Sequence, residues 1–351
     1  MSGRAFAAFV LPSVIAMLLL IAVPLGGVAW LSVWNTYTKT TFVETQVRTP
    51  LGVRKETRTV PALDEKGNPI LVREYYGTKH FENILRLDDL STALTRERST
   101  TDAGQPATIS DRLSGLYRDV SRIDFWGALE FTALYVAVTT PVMLALGLLI
   151  ALGVNTCFKW LRGVLIFASL LPFIVTPVVG ALSIKWLFLD NAIVSVLLQE
   201  AGFGKIYFLQ SAFTIRALII VYGIWHVLPF AFVVFYAGLQ TVPQETLEAA
   251  LIDGATRWQR LRYVIIPHLM PLLVFVLLIH LMDAYRVFEP ILVFSSGQGA
   301  NSLQYLTYAI LDVEQNFNKA SAAALLTIAG VLILLLPVLL RTWREHKGQA
   351  A

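Results

Sequence analysis

The sequence predicts an all-α integral membrane protein with six transmembrane helices and a polar, partly β extracytoplasmic insertion between the first and the second. Three observations carry that prediction. Of 351 residues, 56% are hydrophobic and 15% charged, with a mean hydropathy of +0.63, whereas about a quarter of a soluble domain is charged. Six apolar runs are long enough to cross a bilayer. One long polar segment separates the first run from the other five.

A bilayer offers no water to unpaired backbone groups, so a crossing segment is helical and needs about 20 apolar residues. Phe6–Trp34, Phe125–Val154, Leu161–Leu189, Phe213–Leu239, Pro267–Val287 and Ala320–Leu340 meet that length. The first run is longer than the roughly 7–15 residue core of a signal peptide and lacks a convincing small-residue cleavage site. Residues 1–34 are therefore read as a retained helix. Residues 35–124 are the insertion, in which positive and negative charges nearly cancel. Its first part reads as short alternating strands, turning at Pro50-Leu51-Gly52 and Lys66-Gly67-Asn68-Pro69. The later "TRERSTTDAGQPATISDR" has loop composition, and a short helix is expected over Arg112–Arg122. A small β-rich cap touching an extracytoplasmic partner is preferred to a solvated spacer. Residues 125–341 are the membrane core and 342–351 a tail.

Basic residues in short loops mark the cytoplasmic side. Lys159 and Arg162 lie in the second-to-third connection, Arg257, Arg260 and Arg262 in the fourth-to-fifth, and Arg341, Arg344 and Lys347 after the sixth run. An even number of spans puts all of these on one side together with Arg4, so both termini are expected in the cytoplasm of a bacterial inner membrane. The basic residues of the insertion do not oppose this, because long loops translocate regardless of charge. A net charge of +4 does not argue for nucleic acid, and a single cysteine, Cys157, rules out an intrachain disulfide.

Between the fourth and fifth runs lies the polar, Ala-rich stretch "ETLEAALIDGATRWQRLRYVIIPHLMP". Thr241-Val242-Pro243-Gln244 reads as a capping box that starts a helix, which Glu245, Glu248, Ala249 and Ala250 continue. Asp253 and Gly254 end it with a left-handed exit. A second helix then runs from Ala255 through Arg257 into Pro267, where the fifth span begins.

The order Glu248-Ala249-Ala250, three residues, Gly254, nine residues, Val264-Ile265-Ile266-Pro267 resembles the EAA signature of the permeases of ABC importers, with Val and Ile where Ile and Leu are usual. "FWGALEFTALYVAVTTPVMLALGLLIALGVN", "LIFASLLPFIVTPVVGALSIKWLF", "IWHVLPFAFVVFYAGLQTVPQETLEAALIDGA" and "FNKASAAALLTIAG" resemble the carbohydrate branch of these permeases, and the maltose-transporter type that carries a large outward segment in particular. The resemblance covers nearly all of the chain outside the insertion. One departure is the loop Ser296-Gly297-Gln298-Gly299, where the family often has Gly-Gly-Pro.

What the resemblance implies is the type I importer permease fold, with residues 241–266 as a cytoplasmic coupling loop. Glu245, Glu248, Ala249, Ala250, Asp253, Gly254 and Arg257 in it, with Pro267 just after it, are the coupling residues, and the loop would dock in a groove of a separate ATP-binding cassette ATPase. The implied partners are a second homologous permease, an ATPase dimer, an exported periplasmic solute-binding protein and a sugar or sugar derivative. The chain itself would not be an enzyme, and no cofactor is expected. It has no G-x-x-x-x-G-K-[ST] phosphate loop. His80, His226, His268, His280 and His346 lack metal-ligand spacing, and His268 reads as an interfacial residue.

Ionisable side chains within spans mark pathways or partners. His280, Asp283 and Arg286 recur every three residues on one face of the fifth span, and Tyr222, Trp225 and His226 share a face of the fourth. Rings beside hydrogen-bonding groups suit a sugar, so these six residues form the expected substrate pathway. The alternatives are an Asp283–Arg286 pair on the helix and an aromatic interfacial belt. If Arg286 and a protonated His280 faced the pathway unpaired, an acidic solute such as a sugar phosphate or sulfonate would be favoured. Two other classes stay open. An ion-gradient-driven secondary transporter would show internal repeats, which are not evident, and a membrane receptor would need an output domain, for which the tail after Arg341 is short.

Overall fold

The computed structural model describes residues 3–49, 52–95, 109–205, 207–297 and 299–349. It divides into two compact units, residues 1–87 with 307–326 and residues 88–306 with 327–351.

In the first unit, α1 (Gly3–Met17) passes through a π-helical turn (Leu18–Ala22) into α2 (Val23–Ser32). Pro24 has no N–H to return to the preceding turn, and the wider π turn there absorbs the irregularity. The part Phe9–Ser32 is long and apolar enough to cross a membrane. Four strands follow: β1 (Trp34–Thr38), β2 (Thr40–Thr49), β3 (Gly52–Pro61) and β4 (Leu71–Tyr75). They form two separate antiparallel pairs. β1 pairs with β4 from Trp34↔Tyr75 to Thr38↔Leu71, and β2 with β3 from Thr40↔Pro61 to Thr49↔Gly52. Of the two expected turns, Pro50 and Leu51 lie outside the described residues. The other forms because Asp64 Oδ1 accepts from the N–H groups of Lys66 and Asn68 at 2.9 and 2.8 Å, with Gly67 at φ 81°. α3 (Lys79–Leu85) places buried His80 so that Nε2 lies 3.1 Å from Trp34 O. Asn318, 3% exposed, accepts from Thr36 N–H and donates to Leu31 O, joining the end of α2 and β1 to the 307–326 segment.

α4 (Leu87–Thr95) comes next, then α5 (Ile109–Ser121), which begins three residues before the expected helix and ends one sooner. The sequence did not point to α3 and α4, which are too short to show a periodic apolar face. Residues 96–108 of the stretch read as a loop lie outside the described residues.

The second unit holds the long helices. α6 (Asp124–Thr156) runs 33 residues and matches the second expected span. The third expected span, Leu161–Leu189, is not one straight helix: α7 (Lys159–Ile174) and α8 (Pro177–Leu187) meet at 97°. The cause is local. Pro177 disfavours helical geometry in the residue before it, and Thr176 is extended at φ −61°, ψ 143°. After α9 (Ile193–Leu198) and a π turn (Gln199–Phe203), α10 (Ala212–Leu239) is the fourth expected span.

α11 (Gln244–Ile252) and α12 (Arg257–Arg260) are short, and a π turn (Leu261–Ile265) leads into α13 (Ile266–Ala284). Pro267 therefore does not separate a surface helix from the fifth span, as the sequence suggested. The helix is continuous from Arg257 to Ala284, because Pro267 sits in the first turn of α13, behind a π turn in which Ile266 N–H bonds Leu261 O. α14 (Glu289–Phe294), α15 (Leu303–Asp312) and α16 (Phe317–Gln349) complete the chain. Among the described residues five helices can span a membrane, or six if the bent pair counts as one span.

The core of the second unit lies where α6, α10 and α13 cross. Met143, Ala151, Ala231, Phe232, Phe235, Leu269 and Val276 are fully buried there. Helices in a bilayer associate through close packing rather than apolar burial, and Gly147 allows that approach: a Cβ added to it would lie 2.7 Å from Ala231 Cβ.

Candidate functional site

Two regions gather the residues singled out by the sequence. The first is the surface built by α11 and α12. α11 has no buried side chain: Glu245, Glu248, Ala249, Asp253 and Gly254 are exposed and Ala250 half-buried. Its end is a Schellman motif. Ala255 N–H donates to Ala250 O at 2.9 Å and Gly254 N–H to Leu251 O at 3.0 Å, with Gly254 at φ +75°. The left-handed exit thus lies at the expected residue.

The capping box does not. Pro243 caps α11, with no side-chain bond. The Thr241 hydroxyl instead donates to Gly238 O at 2.8 Å, which commits its hydrogen, so His268 Nε2, 3.0 Å away, donates to the Thr241 oxygen. A full box stands fifteen residues on, where Thr256 Oγ1 accepts from Gln259 N–H and Gln259 Oε1 accepts from Thr256 N–H. Arg257 and Pro267 are exposed beside it. Sequence reasoning passed over the large apolar side chains of this surface: Ile252 is 87% exposed, Trp258 77% and Tyr263 70%. Large apolar side chains left this exposed are candidates for contact with another protein or a bilayer.

The second region is a cavity of about 160 Å³ at the end of α13. Of the six expected pathway residues, Tyr222, His226, His280, Asp283 and Arg286 line it. Trp225 does not; it is 40% exposed, with its ring centroid 6.0 Å from that of Tyr222. The expectation of one helical face is also corrected, because α13 ends at Ala284 and Arg286 follows in a turn, its N–H bonded to Asp283 O. Among the described residues no ion pair joins Asp283 to Arg286.

Tyr222 and His226 stack at 5.7 Å and 11° and also hold the break of the bent pair. The Tyr222 hydroxyl donates to Pro177 O at 2.6 Å, and His226 Nδ1 lies 3.0 Å from Pro172 O. Pro172 O is among the last carbonyls of α7, which lack a helical partner, and Pro177 O opens α8 on the other side of the break. Sequence reasoning missed Tyr135 and Glu289, which also line the cavity. Glu289 carried a signal, an ionisable residue two positions beyond the end of the fifth apolar run. Tyr135 carried none, being one aromatic residue among many in an apolar run.

Residues 129–346 match the family model described as binding-protein-dependent transport system inner membrane component. The chain is 30% identical over 228 residues to the trehalose/maltose transport system permease protein MalF of Thermococcus litoralis, covering 63% of this chain and 75% of that one. To the lactose transport system permease protein LacF of Rhizobium radiobacter it is 28% identical over 219 residues, covering 61% and 73%. A crystal structure of a bacterial ABC transporter involved in the import of the acidic polysaccharide alginate shares the fold, with a TM-score of 0.59, 22% identity, and coverage of 74% of this chain and 89% of that one.

Proposed function

The chain belongs to the binding-protein-dependent transport system inner membrane components, and from that premise we propose that it is a pore subunit of an ATP-driven importer of a sugar or sugar derivative. The observation that carries the reading is the exposed α11–α12 surface, two short helices hinged at a left-handed glycine and leading without interruption into a span. Relatives named for trehalose, maltose and lactose transport support the sugar.

In this reading residues 241–266 are the cytoplasmic coupling loop, residues 35–124 are extracytoplasmic, and both termini are cytoplasmic. The chain pairs with a second homologous permease, an ATPase dimer and an exported solute-binding protein. ATP binding closes the ATPase dimer. The groove that holds α11 moves with it, and the continuous helix Arg257–Ala284 transmits the displacement as a lever to the cavity at its far end. ATP and solute shift the inward- and outward-facing states only by their different affinities for the two. No chemistry takes place on this chain.

The test is co-expression with the neighbouring genes, purification in nanodiscs, and ATPase assay with the exported binding protein and a panel of sugars. Co-purification of an ATPase and a second permease, with hydrolysis stimulated by sugar-loaded binding protein, is expected. A chain that purifies alone and transports on an ion gradient would overturn the reading.

A further inference from the structure

Resting on the sugar-importer reading, we infer that the cavity at the end of α13 takes a hydrogen-donating, uncharged or cationic part of the solute, and turns away carboxylates and phosphates. Hydroxyls of a neutral sugar and the ammonium of an amino sugar meet this description. His280 is 2% exposed and lines the cavity, yet its Nδ1 has no hydrogen-bond partner, although a buried polar atom ordinarily has one.

The other ring nitrogen decides what Nδ1 is. The Thr139 hydroxyl donates its single hydrogen to Tyr135 O at 2.8 Å, and the same oxygen lies 3.2 Å from His280 Nε2. With that hydrogen committed, the second contact is a hydrogen bond only if Nε2 carries a proton and donates it. A ring protonated on both nitrogens would be a buried charge with no carboxylate bonded to it, which is costly. The neutral ring therefore presents Nδ1 as a bare acceptor, and what satisfies a bare acceptor is a donor.

The rest of the lining agrees. Asp283 and Glu289 accept only, and Arg286 alone opposes their two charges. Tyr222 and His226 are already engaged with the carbonyls of Pro177 and Pro172. A carboxylate or phosphate entering here would meet two carboxylates and a lone pair against the single guanidinium of Arg286. A hydroxyl or ammonium is matched by all three. Of the two cations on which the expectation of an acidic solute rested, Arg286 lines the cavity and a neutral His280 supplies no second one.

The test is saturation-transfer difference NMR on the purified complex in nanodiscs, without the exported binding protein, using glucose, glucosamine and glucuronate as probes. Glucose and glucosamine should bind, with glucuronate at roughly a tenth of their affinity or less. His280→Phe should weaken glucose about tenfold, as loss of one satisfied acceptor implies, and His280→Gln, which keeps an acceptor, should recover part of that. Asp283→Asn combined with Glu289→Gln, at residues that are exposed or half-buried, should raise glucuronate relative to glucose by about threefold or more. Equal binding of glucuronate and glucose, an unchanged His280→Phe variant, or binding of none of the probes would overturn the inference. Failure of the importer reading shows separately, as the absence of sugar-stimulated ATP hydrolysis in the same assembly.

Discussion

Gly254→Asp separates a docking surface from a merely structural turn. Gly254 closes α11 at φ +75°, and a Cβ built on it meets nothing within 4 Å. Among the described residues the only penalty is conformational. A residue with a side chain in the left-handed region costs about 1–2 kcal/mol, with Asp toward the lower end because its short side chain bonds locally. A penalty of about 1 kcal/mol changes the ratio of formed to frayed turn roughly fivefold. α11 has no buried side chain, so the membrane core should not register the change. A larger functional loss must come from a second surface occupying the space that the new carboxylate would enter. The assay is transport and binding-protein-stimulated ATP hydrolysis in proteoliposomes, with melting temperature and assembly measured in parallel. Gly254→Asp should lower both activities about tenfold or more, beyond the fivefold that the turn accounts for, with melting unchanged within about 2 °C. Gly254→Asn, which tolerates the left-handed backbone, should fall between wild type and Gly254→Asp. Wild-type transport in Gly254→Asp would refute the docking assignment, and a melting temperature lowered by more than about 5 °C would refute the claim that the cost lies outside the chain.

Thr256→Ala removes the capping box of α12 and should cost about 1 kcal/mol locally, read as faster hydrogen exchange in Arg257–Arg260, while Thr256→Ser leaves exchange unchanged. Tyr222→Phe keeps the ring but frees Pro177 O, and should lower thermal stability by about 1 kcal/mol; an unchanged melting curve would mean that the hydroxyl does not hold the break. Arg216 pairs with Glu130 at 3.2 Å and donates to Tyr117 Oη and Gly299 O. Because both side chains are about one-quarter exposed, Arg216→Met should cost only about 1–2 kcal/mol after screening, and adding Glu130→Gln should restore part of it. His80 titrates below its ordinary 6.5 because burial penalises its charged form, Lys319 adding to this and the bond to Trp34 O opposing it. The folded chain then binds fewer protons than the unfolded one below 6.5, so stability is level above that pH and falls beneath it. Protease cleavage within Trp34–Leu85 should rise from about pH 7.5 to about pH 5.5 in wild type and stay flat in His80→Gln.

The spans were legible because a segment in lipid must close its own hydrogen bonds, so length and apolarity alone imply a helix. The alternating strands and the Asp64 turn were legible because both depend on neighbours in sequence, whereas the pairing of β1 with β4, residues 34–38 with 71–75, was not. Thr241 and Thr256 each head a Ser/Thr-x-x-Gln pattern, but Pro243 disfavours helical geometry at Val242, and no proline follows Thr256 in this way. A carbonyl one turn back and a histidine from α13 claim the Thr241 hydroxyl, leaving the box to Thr256.

The pathway residues divide in the same way. Spacing alone placed His280 and Asp283 on one face of α13, and Tyr222 and His226 on one face of α10. Where those faces look, and what stands opposite them, depended on the 97° break before Pro177, on the end of α13 short of Arg286, and on Glu289 entering from the next element. Above all, the partner of His280 Nε2 is Thr139, 141 residues away in sequence. By itself the sequence determined which segments are long and apolar enough to cross a membrane, because that follows from the solvent each segment must satisfy. Only the tertiary structure decided which polar atoms remain unpaired in the cavity, because a hydrogen bond is settled by its partners, and the partners come from distant helices.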